Sequence, residues 1–361
     1  PAPFLLCLFK NGEMLGVNAM AGTILAAVLL SFYVIWLIRL APAYGELSRM
    51  TGNITVRFIG LFFLLYVILS AAFLADLLAK VIPQSLISGI SGKWLGSLSL
   101  LAVAACSLGT HRGMQRRGRI AEISGGIFLA GILLLMILSA GQGKAEYFLE
   151  TVEGTGSRFS GKWMIRDVYA FLCVFSGVGL LPFGLEKVEK QGSARKPVIL
   201  AFLTVCGIVL GMQVLLPAVF GKNRLLAETY PVLPLLDGAD LPGNVLARFD
   251  VIWMGFLVFG LLFSLGSLFH YGNQIAEKTK LGSGRYWIPA AGWILSLYEK
   301  NGTGIETYYG WYLAYIFVPL LLVVQIFLSV ENKGRWKKKA LSVSLFFFVS
   351  LMGTGCAAGG P

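Results

Sequence analysis

Again and again along this chain, apolar residues run for about the length that one helix needs to cross a lipid bilayer. Such runs fall at 20–38, 56–79, 94–109, 120–140, 163–185, 197–220, 249–272, 286–298 and 311–330, with a further one at 340–356. About 20 mostly apolar residues carry a helix across about 30 Å of hydrocarbon. A helix satisfies every backbone N–H and C=O within the segment itself, which lipid cannot do for it. Charged residues make up only 13% of the chain, about half the share found in soluble domains, too few to coat a water-facing surface. The sequence therefore predicts an all-α polytopic membrane protein with about ten transmembrane helices. The runs at 94–109 and 286–298 are short and are expected to be tilted or partly interfacial. Pro1 to Phe9 is apolar but too short to span, and the polar stretches 141–162 and 221–247 read as loops rather than domains.

Charge sets the orientation. If the spans alternate in direction, the loops on one side, taken as cytoplasmic, hold most of the chain's 30 basic residues. They are Arg39, Arg49 and Arg57; Arg112, Arg116, Arg117 and Arg119; Lys187, Lys190, Arg195 and Lys196; Lys278, Lys280 and Arg285; and Lys333, Arg335, Lys337, Lys338 and Lys339. The opposite loops are longer and also carry Glu146, Glu150, Glu153, Glu228, Asp237 and Asp240. This is the positive-inside bias. The formal charge of +12 is thus topological, and no nucleic-acid partner is expected, since no aromatic-interleaved basic surface accompanies it.

Familiar catalytic and metal-binding patterns are missing. Cys7, Cys106, Cys173, Cys206 and Cys356 share no metal-ligand spacing, and buried cysteines behave as small hydrophobes. Gly156 to Lys162 has the spacing of a phosphate-cradling loop, but Trp163 stands where the magnesium-binding hydroxyl belongs. His111 lies in a basic loop, and His270 is expected at the headgroup level near the end of a span. The reading is of a protein that is not an enzyme and needs no cofactor. Gln213 and Gln325 read as interhelical hydrogen-bonding groups, Gly207 and Gly211 as a helix-packing pair, and Asp76 and Asp250 as interfacial.

One span is irregular. Ser176, Gly177, Gly179, Pro182 and Gly184 cluster at 176–184, where an ordinary span carries leucine and valine. In a helix interior Gly costs about 1 kcal/mol and Pro about 3, so the cluster predicts a local break. At membrane depth such a break survives where its backbone is buried in protein or lines a cavity, and transporters use one to hold charged ligands. A proline kink with glycines for close packing fits the same residues. On the site reading, Ser176, Gly177, Val178 and Gly179 form the pocket backbone, with Phe175 and Phe183 as walls.

The stretch Ser176-Gly177-Val-Gly179-Leu-Leu-Pro182-Phe183, the loop ending Tyr230-Pro231-Val-Leu-Pro234-Leu-Leu, and the order of spans together resemble the B subunit of spore germinant receptors. These are permease-like proteins of the amino acid–polyamine–organocation superfamily. The resemblance covers roughly residues 1–335. It implies a LeuT-like fold of two inverted five-helix repeats, with the first and sixth helices unwound around a small-ligand pocket. It further implies sensing of a nutrient germinant such as an amino acid in the spore inner membrane, together with an A subunit and a lipoprotein C subunit. Tyr66 in the third span of that fold and Phe259 in its eighth are then expected to line the pocket. Many relatives carry an acidic residue near the glycine of the break. Here Val178 and Gly179 stand there, so no carboxylate contact to a ligand amine is carried over.

Both termini carry expectations of their own. Pro1-Ala-Pro3 reads as the segment just after the first-helix break, so the permease-like domain, residues 1–335, is expected to have a truncated first helix. Residues 336–361 pair a basic start with a short apolar core before Cys356, which resembles a bacterial lipoprotein signal; an extra hydrophobic hairpin fits as well. The alternative function is a secondary amino-acid transporter coupled to H⁺ or Na⁺. A proton-coupled one would place a carboxylate beside the break, and none stands there, which favours the sensor; Na⁺ needs none.

Overall fold

The computed structural model describes residues 7–10, 14–45, 53–85, 92–109, 114–154, 161–185, 194–237, 249–300 and 303–332. The described chain is helical apart from two-residue strands β1, Glu299–Lys300, and β2, Thr303–Gly304, paired antiparallel. In order the helices are α1 (Val17–Gly45), α2 (Asn53–Ser85), α3 (Gly92–Gly109), α4 (Met114–Ala140), α5 (Ala145–Gly154) and α6 (Gly161–Val174). After a 3-10 segment, Phe175–Leu180, come α7 (Leu181–Leu185), α8 (Arg195–Ala227), α9 (Val232–Asp237), α10 (Phe249–Lys278) and α11 (Trp287–Ser296). The last span is α12 (Ile305–Trp311), a π-helical segment, Tyr312–Phe317, and α13 (Val318–Asn332).

Among the described residues, 7 helical stretches are long and apolar enough to cross a membrane. They are apolar all round, because one side meets lipid and the other meets neighbouring helices. Phe32, Phe58, Ile123 and Ile137 stand on the outside at 65–71% exposure, as lipid-facing side chains do. The short runs behave differently. The 286–298 run forms only the ten-residue α11, about 15 Å long and half the hydrocarbon thickness. It packs on α2, where a Cβ on Gly292 would stand 3.2 Å from that of Ala71. The 94–109 run is the 18-residue α3, which lies against α2 and α10. The run at 340–356, the lipoprotein-like tail, Pro1 to Pro3, the side chain of Asp250 and His111 lie outside the described residues, as does most of the phosphate-loop look-alike.

The helix α2 is central: 72% of its most apolar stretch is buried, against 17% for α4. It lies along α10 and α11, while α1 runs beside α6 and α7 and also contacts α8. Gln213 on α8 donates to the Met14 carbonyl at 3.1 Å and to Thr23 Oγ1 at 2.9 Å, stapling α8 to the start of α1. Of the glycine pair, Gly211 packs directly on Met136 of α4, whereas Gly207 has open space. His270 corrects its expected place: it is buried two turns inside α10, hydrogen-bonded to Gln274 at 3.0 Å. The two long polar stretches hold structure of their own. Within 141–162 lies the amphipathic α5, which packs on α8, and α8 runs on through 221–227 past a kink at Gly221, whose φ of +67° suits glycine.

The topology brings Arg39, Arg57, Arg117, Arg195, Lys278 and Arg285 to one end of the bundle, and Lys144, Glu146, Glu150, Glu228 and Glu306 to the other. The basic end is cytoplasmic by the positive-inside rule. Descending from the outer end, α12 leads inward to the π segment and α13. The residues of α2 that meet it run in reverse, from Asp76 outside to Phe62 deeper in.

Candidate functional site

The stretch 176–184, where the sequence predicts a break, is not unwound: it stays within one helical span, Gly161–Leu185. The helix tightens into 3-10 geometry over Phe175–Leu180, where the N–H of Leu181 bonds three residues back to the Val178 carbonyl. Pro182 then falls in the first turn of α7, where its missing N–H is no loss. Facing this segment across the bundle is a second irregularity that the sequence reading missed. The last span widens into π geometry over Tyr312–Phe317, where the Val318 N–H reaches back to the Leu313 carbonyl. π segments of this kind recur at functional sites. The Tyr169 hydroxyl, from α6, donates to the Ala314 carbonyl within it.

Tyr66 of α2 sits between the two irregularities. Its ring stacks on Phe317 at 3.9 Å between centroids and 14° between planes. Its hydroxyl would lie 3.0 Å from a Cβ on Gly177, so a side chain there would press on it unless it shifts by a few tenths of an ångström. Gly179 likewise admits Leu321 of α13, whose Cδ2 would stand 2.8 Å from an added Cβ. Ser176 Oγ is buried and makes no direct hydrogen bond of normal geometry among the described residues, with the Tyr66 hydroxyl beside it. The Tyr312 hydroxyl is buried in the same condition. Burying a hydroxyl without a partner costs about 1–3 kcal/mol, so the Tyr312 hydroxyl near Tyr66 leaves a donor and an acceptor for a small polar ligand. One and two turns outward, Ser70 and the Tyr309 hydroxyl share a hydrogen bond of 2.8 Å, and Phe73 stacks on the Tyr309 ring at 4.9 Å.

Cytoplasmic to this polar group lies an aromatic layer. Phe62 stacks on Phe317 at 5.1 Å, and Phe63 meets Phe317 and Phe183 edge-on. Phe183 is fully buried, 4.8 Å from Tyr44, with the Lys278 ammonium 5.8 Å over its ring. Beyond the layer Tyr33 donates to Gln325 Oε1 at 2.6 Å, joining α1 to α13. Phe62, Phe63, Phe183 and Phe317 thus form one apolar layer beside the polar group.

Ser176, Gly177, Gly179 and Tyr66 are therefore brought together, with Phe183 one layer away. Phe175 instead stacks on Phe171 and meets Phe202 of α8. Val178 turns its side chain toward Val34, Ile38 and Ala41 of α1. Phe259 is 41% exposed on the outside of α10, stacked on Phe128 of α4, and shares none of the contacts around Tyr66. Sequence reasoning missed Ser70, Tyr309, Tyr312 and Phe317. The tyrosines near the start of the last span read equally well as an interfacial aromatic belt.

Among the described residues no group of three or more His, Cys, Asp or Glu is placed to hold a metal ion. No curated protein matches the chain. A family model does, across residues 15–279, and with it the chain belongs to the spore germination protein family of permease-like membrane proteins.

Proposed function

We propose that this protein is the nutrient-sensing B-type subunit of a spore germinant receptor and that it binds a small ligand, such as an amino acid, where the Phe175–Leu180 segment faces Tyr66. The observation that carries the reading is the meeting of two helix irregularities over one tyrosine, with the Ser176 hydroxyl beside that of Tyr66 and the Tyr312 hydroxyl buried near it. Membership of the spore germination family supports the setting. The reading includes a fold of ten helices in two inverted repeats, of which the seven long spans with the shorter α3 and α11 would supply nine. It also includes an A subunit and a lipoprotein C subunit as partners, and the spore inner membrane as the location.

A sensing ligand must bind two receptor states with different affinity, since equal affinity shifts nothing. The π segment is a natural element to differ between states, because its wide turn can tighten when Tyr66 and Phe317 move. The reading is tested by thermal stabilisation of the purified protein across the free amino acids. One of them, at about 100 times its dissociation constant, should add about 2.7 kcal/mol. A flat response across all of them, in the protein alone and with its partner subunits, rules the site out. Uptake into liposomes then separates a sensor from a transporter.

A further inference from the structure

At the outer end of the bundle, directly above the Tyr66 group, four charges from three parts of the chain meet. Glu306 opens α12 one turn above Tyr309, and its Oε2 receives Lys10 Nζ at 2.8 Å. Lys80 of α2 holds Asp76 at 2.6 Å and stands 4.0 Å from the same Glu306 oxygen. The Lys10, Glu306 and Asp76 side chains are 29%, 21% and 16% exposed, while Lys80 reaches the surface at 41%. Among the described residues two cations and two anions meet here. Leu8 and Phe9, beside Lys10, are 2% and 0% exposed, so residues 7–10 are seated in the bundle. The buried Tyr230 closes the cluster from the turn before α9, its phenol pushed up by burial and then by the neighbouring Glu306 carboxylate. Beneath it, Phe73, Ser70 and Tyr309 line the seam between α2 and α12 that leads down to Tyr66.

We propose that Lys10, Glu306, Lys80 and Asp76 form an outer latch that holds residues 7–10 down over the α2–α12 seam, and that its release opens the Tyr66 site to the outside. The proposal rests on the reading of that site as a ligand site. A partly buried ion pair suits such a role, because desolvation offsets most of its Coulomb attraction and leaves the closed state easy to exchange. A zwitterion carries both charges that the latch uses.

Cys7 reports on the latch. Burial, then the Glu306 carboxylate, raise its thiol to about 12, while Lys10 pulls it down. The experiment uses the full chain in lipid nanodiscs with Cys106, Cys173, Cys206 and Cys356 changed to Ala, and follows the labelling rate of Cys7 by a charged maleimide without ligand. Lys10→Met is the deciding variant. Removing the ammonium alone would make the thiol less ionised and slow the reaction, whereas release of the latch exposes the thiol and speeds it. The latch predicts labelling about tenfold faster for Lys10→Met and for Glu306→Gln, with Lys10→Arg as slow as the parent. Labelling of Lys10→Met at or below the parent rate overturns the latch, as does Lys10→Arg labelling as fast as Lys10→Met. Because no ligand enters this experiment, its failure is distinct from failure of the ligand site.

Discussion

The rings of Tyr66 and Phe317 lie nearly parallel at 3.9 Å, joining the central helix to the π turn of the last span. Phe317 also meets Phe62, Phe63 and Tyr312, and it is fully buried. Phe317→Ala opens a cavity at the centre of this cluster and is expected to cost about 3 kcal/mol. Thermal unfolding in detergent, read against Phe259→Ala on the lipid-facing side, checks it. Equal melting temperatures for the two variants would remove Phe317 from the core of the account.

Gly179 is glycine because Leu321 occupies the space of its side chain. Gly179→Val is expected to destabilise by about 1–3 kcal/mol through overpacking. Adding Leu321→Ala should recover part of that loss, since the clash is with the leucine tip. Additive losses in the double variant would show that the two do not touch.

The Cys7 thiol, raised to about 12 from an ordinary 9.0, fixes a pH dependence. Only the thiolate reacts, so labelling of a protein with Cys7 as its sole thiol should climb about tenfold per pH unit and not level off by pH 10. A plateau near pH 9 would mean an open, solvated thiol.

How much of this was legible in the sequence depends on the range of the interaction. The helix α2 is written in its own apolar run, and the 3-10 irregularity in the local company of Ser176, Gly177, Gly179 and Pro182, because backbone geometry answers to neighbouring residues. The π turn has no such signature, since Tyr312 to Phe317 is an ordinary aromatic and aliphatic stretch. Phe259 was expected beside Tyr66 from the resembled fold, yet its exposure on α10 follows from which face of that helix meets α4. Asp76 read as interfacial, and its place next to Lys80 was visible at helical spacing. That Glu306 and Lys10 join the pair is a tertiary fact that no local pattern carries. His270 failed for the same reason: the Gln274 that it pairs with one turn on was legible, but its burial was not.

Orientation makes a separate prediction. Single cysteines at Lys280 and at Lys144 should label from opposite sides of oriented vesicles, Lys280 from the cytoplasmic side. The basic loops set that polarity, as the positive-inside bias requires. Labelling of both from one side would refute the arrangement in which α6–α7, α8 and α10 all cross the membrane between them.

The most direct test of the ligand site is saturation binding of the stabilising amino acid to Gly177→Val and Phe259→Ala proteins in nanodiscs. A Cβ at residue 177 stands 3.0 Å from the Tyr66 hydroxyl, so Gly177→Val is expected to weaken binding by about a hundredfold, or about 2.7 kcal/mol, while Phe259→Ala binds as the parent does. Unchanged affinity in a folded Gly177→Val protein would contradict a site at the 3-10 segment and leave it as a kink between packed helices.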